Sequence, residues 1–156
     1  MRILMSMSIL LCIVGMSCDD NDNDDDDDDD DEPIDIVIKA GQECGWCVGG
    51  DSLTITKLNS SYAYQSRCPG IGKKNRNVDT DPTEWNELLA TLNWDEFNKV
   101  QVNTCAMCAD GCDTWISVEK NRETHRIRFT ESSTEIEPIR PFVEKLDALI
   151  EEFRKN

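Results

Sequence analysis

The chain of 156 residues is poor in histidine, in tyrosine and in positive charge, and each shortage narrows its chemistry. A single histidine, His125, leaves imidazole-rich metal centres and nucleophile–histidine–acid triads without their parts. No serine or cysteine stands beside it in a recognisable base pattern. Its parity with Ile127 and Phe129 turns it toward a covered sheet face. There are 16 Lys and Arg against 32 Asp and Glu, a formal charge of −16. A phosphate backbone therefore finds no basic surface, and nucleic acid is not an expected partner. No apolar run reaches the roughly 20 residues that cross a bilayer core. With no catalytic constellation in view, the expectation is a chain that is not an enzyme and takes no cofactor.

What is present begins with an address. Arg2 is the only charge before an apolar run from Ile3 to Met16, as in an export signal. Gly15-Met16-Ser17-Cys18 follows and resembles the bacterial lipobox, with Gly15 where leucine is usual. That resemblance implies a lipidated Cys18 as mature N-terminus and a lipid anchor as the contact with the membrane. From Asp19 to Glu32 every residue is Asp, Asn or a final Glu. Such a run repels itself into an extended coil of about 45 Å at roughly 3.3 Å per residue. It lacks the ligand spacing and glycine of a calcium loop. Acidic residues in this place resemble the signal that sends lipoproteins of Bacteroidota to the outer face of the cell. The expected organisation is a signal over 1–17, a lipidated cysteine and acidic tether over 18–32, and one domain over 33–156. The domain carries most of the bases and only a modest negative balance, ordinary for a soluble fold.

Within the domain, Ile34, Ile36 and Ile38 alternate, which predicts a half-buried strand. Asp51 to Thr56 and Tyr62 to Tyr64 predict two more, around a turn at Asn59-Ser60-Ser61. Pro69 to Asp79 reads as a polar, basic loop. Asp81-Pro82-Thr83-Glu84 starts a helix, with Asp81 as cap and Pro82 at the first helical position. Trp85, Leu88, Leu89 and Leu92 share one helical face. In the second half Val100 and Val102, then Thr114 to Val118, then Thr124 to Phe129 predict strands, with a turn at Lys120-Asn121. A helix starting near Pro138 or Pro141 aligns Ile139, Phe142, Val143, Leu146, Leu149, Ile150 and Phe153. The halves register with Cys44 on Cys105, Cys47 on Cys108, Gly50 on Gly111 and Ile55 on Ile116. The expected fold class is α+β, an antiparallel sheet with two helices packed on one face. Two β-(CxxC)-β-β-α units are an open reading of that order.

After Cys12 and Cys18, six cysteines remain: Cys44, Cys47, Cys68, Cys105, Cys108 and Cys112. Three readings compete. In an exported domain they pair as disulfides, of undetermined connectivity. Cys44, Cys47, Cys105 and Cys108 also match the spacing of a four-thiolate zinc site, although the segment between the pairs is long for a compact ribbon. Cys44-Gly45-Trp46-Cys47 has the spacing of a redox dithiol, but a strand rather than a helix follows it. Trp46, in a loop, and Trp94, after a helix, are the candidate exposed aromatics for a protein or glycan partner. Asp110 and Asp113 flank a turn without the pattern of a calcium loop. Asp51-Ser52-Leu53 resembles a short O-glycosylation motif of Bacteroidota envelope proteins, against a plain turn role for Ser52.

The C-G-x-C turn at Cys44 to Cys47, Ile55-Thr56, the W-N-E-L helix at Trp85 to Leu88 and P-F-x-x-K-L-D at Pro141 to Asp147 together resemble a group of Bacteroidota lipoproteins. The resemblance implies a small α+β domain behind a lipid anchor and supplies no activity. The expected function is a non-catalytic binding or envelope-accessory module, anchored in the outer membrane and facing the exterior. The alternative is a thiol-redox or zinc-binding protein using the CxxC pairs. Radiolabelled fatty acid fed to producing cells is expected to mark the chain at Cys18. A Cys18→Ala chain that still carries the label ends the anchor assignment.

Overall fold

The computed structural model describes residues 35–70 and 72–155. The expected signal, Cys18 and the acidic tether lie outside the described residues. Alternating segments form strands β1 (Ile36–Cys44), β2 (Gly50–Ile55) and β3 (Asn59–Gln65), and later β5 (Cys112–Lys120) and β6 (Glu123–Phe129). Lys73–Asp79 forms β4 between them. All pairings are antiparallel, in the order β4-β3-β2-β1-β5-β6. The first strand therefore sits in the middle, joined to both halves of the chain. Helices α1 (Pro82–Thr91), α2 (Trp94–Lys99) and α3 (Arg140–Lys155) complete an α+β fold with an open sheet.

The core lies between the helices and one sheet face. Ile38, Ala40, Leu53, Ile55, Tyr62, Ile116, Val118, Ile127 and Phe129 supply the sheet side and are buried. Six side chains of α3, from Phe142 to Phe153, meet them. Burying each contributes about 1.5–3 kcal/mol over leaving it in water. The stripe expected from helical spacing is the one that is buried. The opposite sheet face carries Lys39, Ser52, Thr54, Ser117 and Arg126, none of them buried, as expected of an antiparallel sheet wetted on one side.

Three expectations are corrected. Lys73 to Asp79 is an edge strand, not a loop. Two of its three inward positions, Lys74 and Arg76, use long stems, and only Val78 is aliphatic. The Arg76 guanidinium lies 4.9 Å from the Phe153 ring centroid. Lys74 Nζ donates to the carbonyls of Phe153 and Arg154 at 3.3 and 3.0 Å, where α3 ends. A third helix, α2, inserts the fully buried Phe97. Its signal was in the sequence: Asn93 caps it by accepting from the Glu96 N–H, an N-cap three residues before an acid. The halves, finally, are not equivalent units. The expected strand at Val100 and Val102 makes only a parallel bridge, Asn103 to Arg128, along the outer edge of β6. Its counterpart β1 is central and antiparallel to its neighbours.

The turn between β5 and β6 falls one residue later than expected, at Asn121-Arg122. Both residues are left-handed, with φ of 52° and 68°. Two positive φ values suit a hairpin turn matched to strand twist, and glycine adopts them without the Cβ penalty. Arg122→Gly is expected to stabilise the domain by about 0.5–1 kcal/mol, read as a higher urea midpoint at constant slope.

Candidate functional site: the disulfide-braced end of the sheet

All six domain cysteines gather at one end of the sheet. Cys44 pairs with Cys112, Cys47 with Cys68, and Cys105 with Cys108. The disulfide reading is the one the structure displays. The zinc alternative is corrected: Cys44, Cys47, Cys105 and Cys108 are divided among different bridges, and no cluster of metal-binding side chains occurs among the described residues. The Cys44–Cys47 redox pair is likewise replaced, because each partner bonds elsewhere.

Cys44 and Cys112 face each other across β1 and β5, at the last register position of that ladder. The loop after Cys44 is then tied on several sides. The Cys44 N–H donates to the Gly49 carbonyl at 2.8 Å, and the Gly45 N–H to the Gly111 carbonyl at 2.9 Å. Tyr64 Oη donates to the Val48 carbonyl and Ser66 Oγ to the Cys47 carbonyl, at 3.1 and 3.0 Å. Gly49, at φ 82°, brings its backbone so near β3 that a Cβ there would lie 2.1 Å from the Gln65 carbonyl oxygen. These ties hold Trp46 at φ 53° with 76% of its surface exposed, beside the exposed Val48. Trp46 is thus exposed as expected, whereas Trp94 is not a free contact. Trp94 is half-buried at the start of α2, with its ring centroid 6.2 Å from that of Phe97 and Lys120 Nζ 5.9 Å away.

Two buried carboxylates organise the same end, and neither was read from the sequence as structural. Asp51 lies within β2, as its segment predicts, and faces the helices. Its Oδ1 accepts the Gln42 N–H at 3.0 Å. Its Oδ2 accepts Tyr62 Oη at 3.1 Å and Arg154 Nε at 2.6 Å. That arrangement ties the end of α3 to the middle of the sheet. Burial, together with the Asp51 charge, pushes the Tyr62 hydroxyl up to about 12. A cleft of about 320 Å³ opens above the cluster, lined by Val48, Tyr62, Tyr64, Lys74 and Arg154. Ser52, beside Asp51, is half-buried on the open sheet face rather than in a turn.

Asp113 is fully buried in β5. Its Oδ1 accepts the Thr104 hydroxyl at 2.6 Å and the Ala106 N–H at 2.9 Å. Its Oδ2 accepts the Met107 N–H at 3.0 Å. These bonds seat a short 3-10 turn, Ala106–Ala109, on the sheet end. Burial pulls the Asp113 carboxyl upward, but the donors at Met107, Thr104 and Ala106 with the nearby Arg128 charge outweigh it and hold it below the usual range. Asp110 follows in a left-handed position and is exposed. His125 faces the covered side as expected, half-buried, with Nε2 2.8 Å from the Val100 carbonyl and its ring edge-on to Phe97. It is engaged in packing.

Compared with known proteins, the chain matches no family model and none of the curated sequences.

Asp113→Asn exchanges an acceptor oxygen for a donor facing backbone N–H groups. It is expected to cost about 2–4 kcal/mol of stability. Because the folded Asp113 titrates below its unfolded value, its contribution is complete above the usual carboxylate pKa of about 3.9 and drains as pH falls through the lower folded value. Urea midpoints measured from pH 6 down to pH 2.5 are expected to fall less steeply in the variant than in the parent chain. Parallel curves remove this role for Asp113.

Proposed function

We propose that the domain is a non-catalytic binding module, carried outside the cell as a lipid-anchored outer-membrane protein, with the disulfide-braced sheet end as its contact surface. The observation that carries the reading is Trp46: a large aromatic side chain, three-quarters exposed, held in left-handed backbone between two bridged cysteines. Left-handed backbone is unfavourable for a bulky residue and persists where the surroundings over-determine it, most often at functional sites. Exposed tryptophan is also the residue type most enriched among interface anchors. A loop fixed before binding loses less freedom on binding, so its apolar contact converts more fully into affinity. Two bridges joining separate strands and loops supply that fixation. Paired cysteines throughout the domain are in keeping with an oxidising compartment, and so with the export signal and lipobox.

A photo-crosslinking amino acid at position 46 of the full chain, activated on intact producing cells, tests the reading. One discrete adduct is expected from position 46. The same amino acid at position 58 is the control, because Leu58 is equally exposed, at 78%, in the β2–β3 turn at the other sheet end. Identical adduct patterns from both positions, or no adduct from position 46, defeat the assignment.

A further inference from the structure

The Cys105–Cys108 bridge is placed unlike the other two. Both of its residues are exposed, whereas in each of the other bridges at least one sulfur is covered: Cys44 is buried although its partner Cys112 is exposed, and Cys47 and Cys68 are half-buried. It spans a sequence separation of 3, against 21 and 68 for the others. Closing so short a loop removes little freedom from the unfolded chain, so this bridge lends the fold the least stability. Linkage then works in reverse. A bridge that stabilises the fold little is protected little by the fold against reduction.

Its surroundings are also held without it. Asp113 grips the N–H groups of Ala106 and Met107 and the Thr104 hydroxyl. The Cys108 N–H donates to the Cys105 carbonyl at 3.1 Å, and the Gly111 N–H to the Ala106 carbonyl at 2.9 Å. The Thr104 N–H donates to the Arg128 carbonyl at 2.9 Å. A Cβ on Gly45 would lie 2.7 Å from the Met107 carbonyl oxygen, so the neighbouring loop backs directly onto this one. The backbone carrying the two sulfurs therefore keeps its path whether they are joined or free.

From this we infer that Cys105–Cys108 is an exchangeable disulfide, a site that takes two electrons from the dithiol of a partner protein. A thiolate of that dithiol attacks one Sγ. The Cys105–Cys108 bond breaks and the departing sulfur takes a proton. The second thiolate of the partner then attacks its own sulfur in the mixed disulfide. The bond to the domain breaks, the second cysteine is protonated, and the partner leaves as a disulfide. Two electrons and two protons have moved to the domain, and the reverse sequence delivers them to an oxidised substrate. The other two bridges take no part, so the sheet end stays braced through the cycle. This site is independent of the contact proposed at Trp46.

The test is a redox titration of the full chain in graded ratios of reduced to oxidised glutathione, quenched by acid, alkylated and mapped by peptide mass. Cys105 and Cys108 are expected to become alkylated together, at a reductant ratio about tenfold lower than any other domain cysteine. Thermal unfolding is expected to stay cooperative at that ratio. Joint reduction of all three bridges, or reduction of Cys105–Cys108 last, overturns the proposal without any variant having to fold. With reduced thioredoxin as the probe, the chain is expected to oxidise it stoichiometrically, and a Cys105→Ser/Cys108→Ser chain is expected to lose that reaction. An undiminished reaction in the double variant assigns the exchange to another bridge and refutes the site. Neither result alters what the crosslinker at position 46 reports.

Discussion

The structure depends on one pairing, that of β1 with β5. It joins the first strand of the domain to the fifth, and everything between them is thereby committed to one sheet. The β2–β4 meander hangs from one side of β1, and the β5–β6 hairpin from the other. The ladder runs from Ile36 opposite Lys120 to Cys44 opposite Cys112, and the covalent bridge closes it at the last position. Because the side-chain period in a strand is two, a one-residue slip here would send either Ile38 and Ala40 or Ile116 and Val118 to the wet face. The core requires this register, and the Cys44–Cys112 bond allows no other.

Polar groups are buried at that same end of the sheet. The ladder between β1 and β2 is interrupted near Gly41 and Gln42, where the strands approach closely. A Cβ on Gly41 would lie 2.1 Å from the Asp51 carbonyl oxygen. The Gln42 N–H turns instead to the Asp51 side chain. A buried carboxylate is costly unless its acceptor sites are filled and its charge is answered. Asp51 meets that need with Tyr62 and with Arg154 from the last turn of α3. Asp113 meets it with a loop wrapped over its oxygens. Each carboxylate thus converts a gap in regular structure into a fixed joint, one for a helix and one for a loop.

Much of the fold is legible in the sequence because burial imposes a period. The α3 stripe from Phe142 to Phe153 and the alternation around Ile38, Ile55, Ile116 and Ile127 could satisfy only a helix and strands facing a common core. The strand Lys73–Asp79 was not legible, because two of its three inward side chains are the stems of Lys74 and Arg76, which a hydrophobic pattern counts as polar, and Val78 alone makes no alternation. The α2 helix was marked only by its cap. The halves looked alike because a CxxC turn and a hairpin recur at equal spacing, while their different sheet partners are long-range facts that spacing does not contain. The joints were hidden for the same reason. Asp51 and Arg154 are 103 residues apart, and alternation marks Asp51 as a strand position without showing what it meets.

Cysteine connectivity shows most directly what local spacing leaves undecided. The two CxxC segments share a spacing and a register, yet one distributes its sulfurs to distant partners and the other closes on itself. The difference follows from position. Cys44 ends a central strand and meets the neighbouring strand across a ladder, so its nearest sulfur is Cys112. Cys105 lies beyond the sheet edge in a loop already seated by Asp113, so its nearest sulfur is in its own turn. Cross-links between elements reduce the freedom of the unfolded chain and fix the frame, whereas a link within one turn changes the frame little. The sheet end therefore combines two bridges that set the shape of the Trp46 loop with a third whose chemistry is separable from that shape. If the sheet end serves as proposed, a rigid aromatic anchor and a sulfur pair that opens can share it only under that division, because a single bridge asked to do both would lose the anchor each time it exchanged.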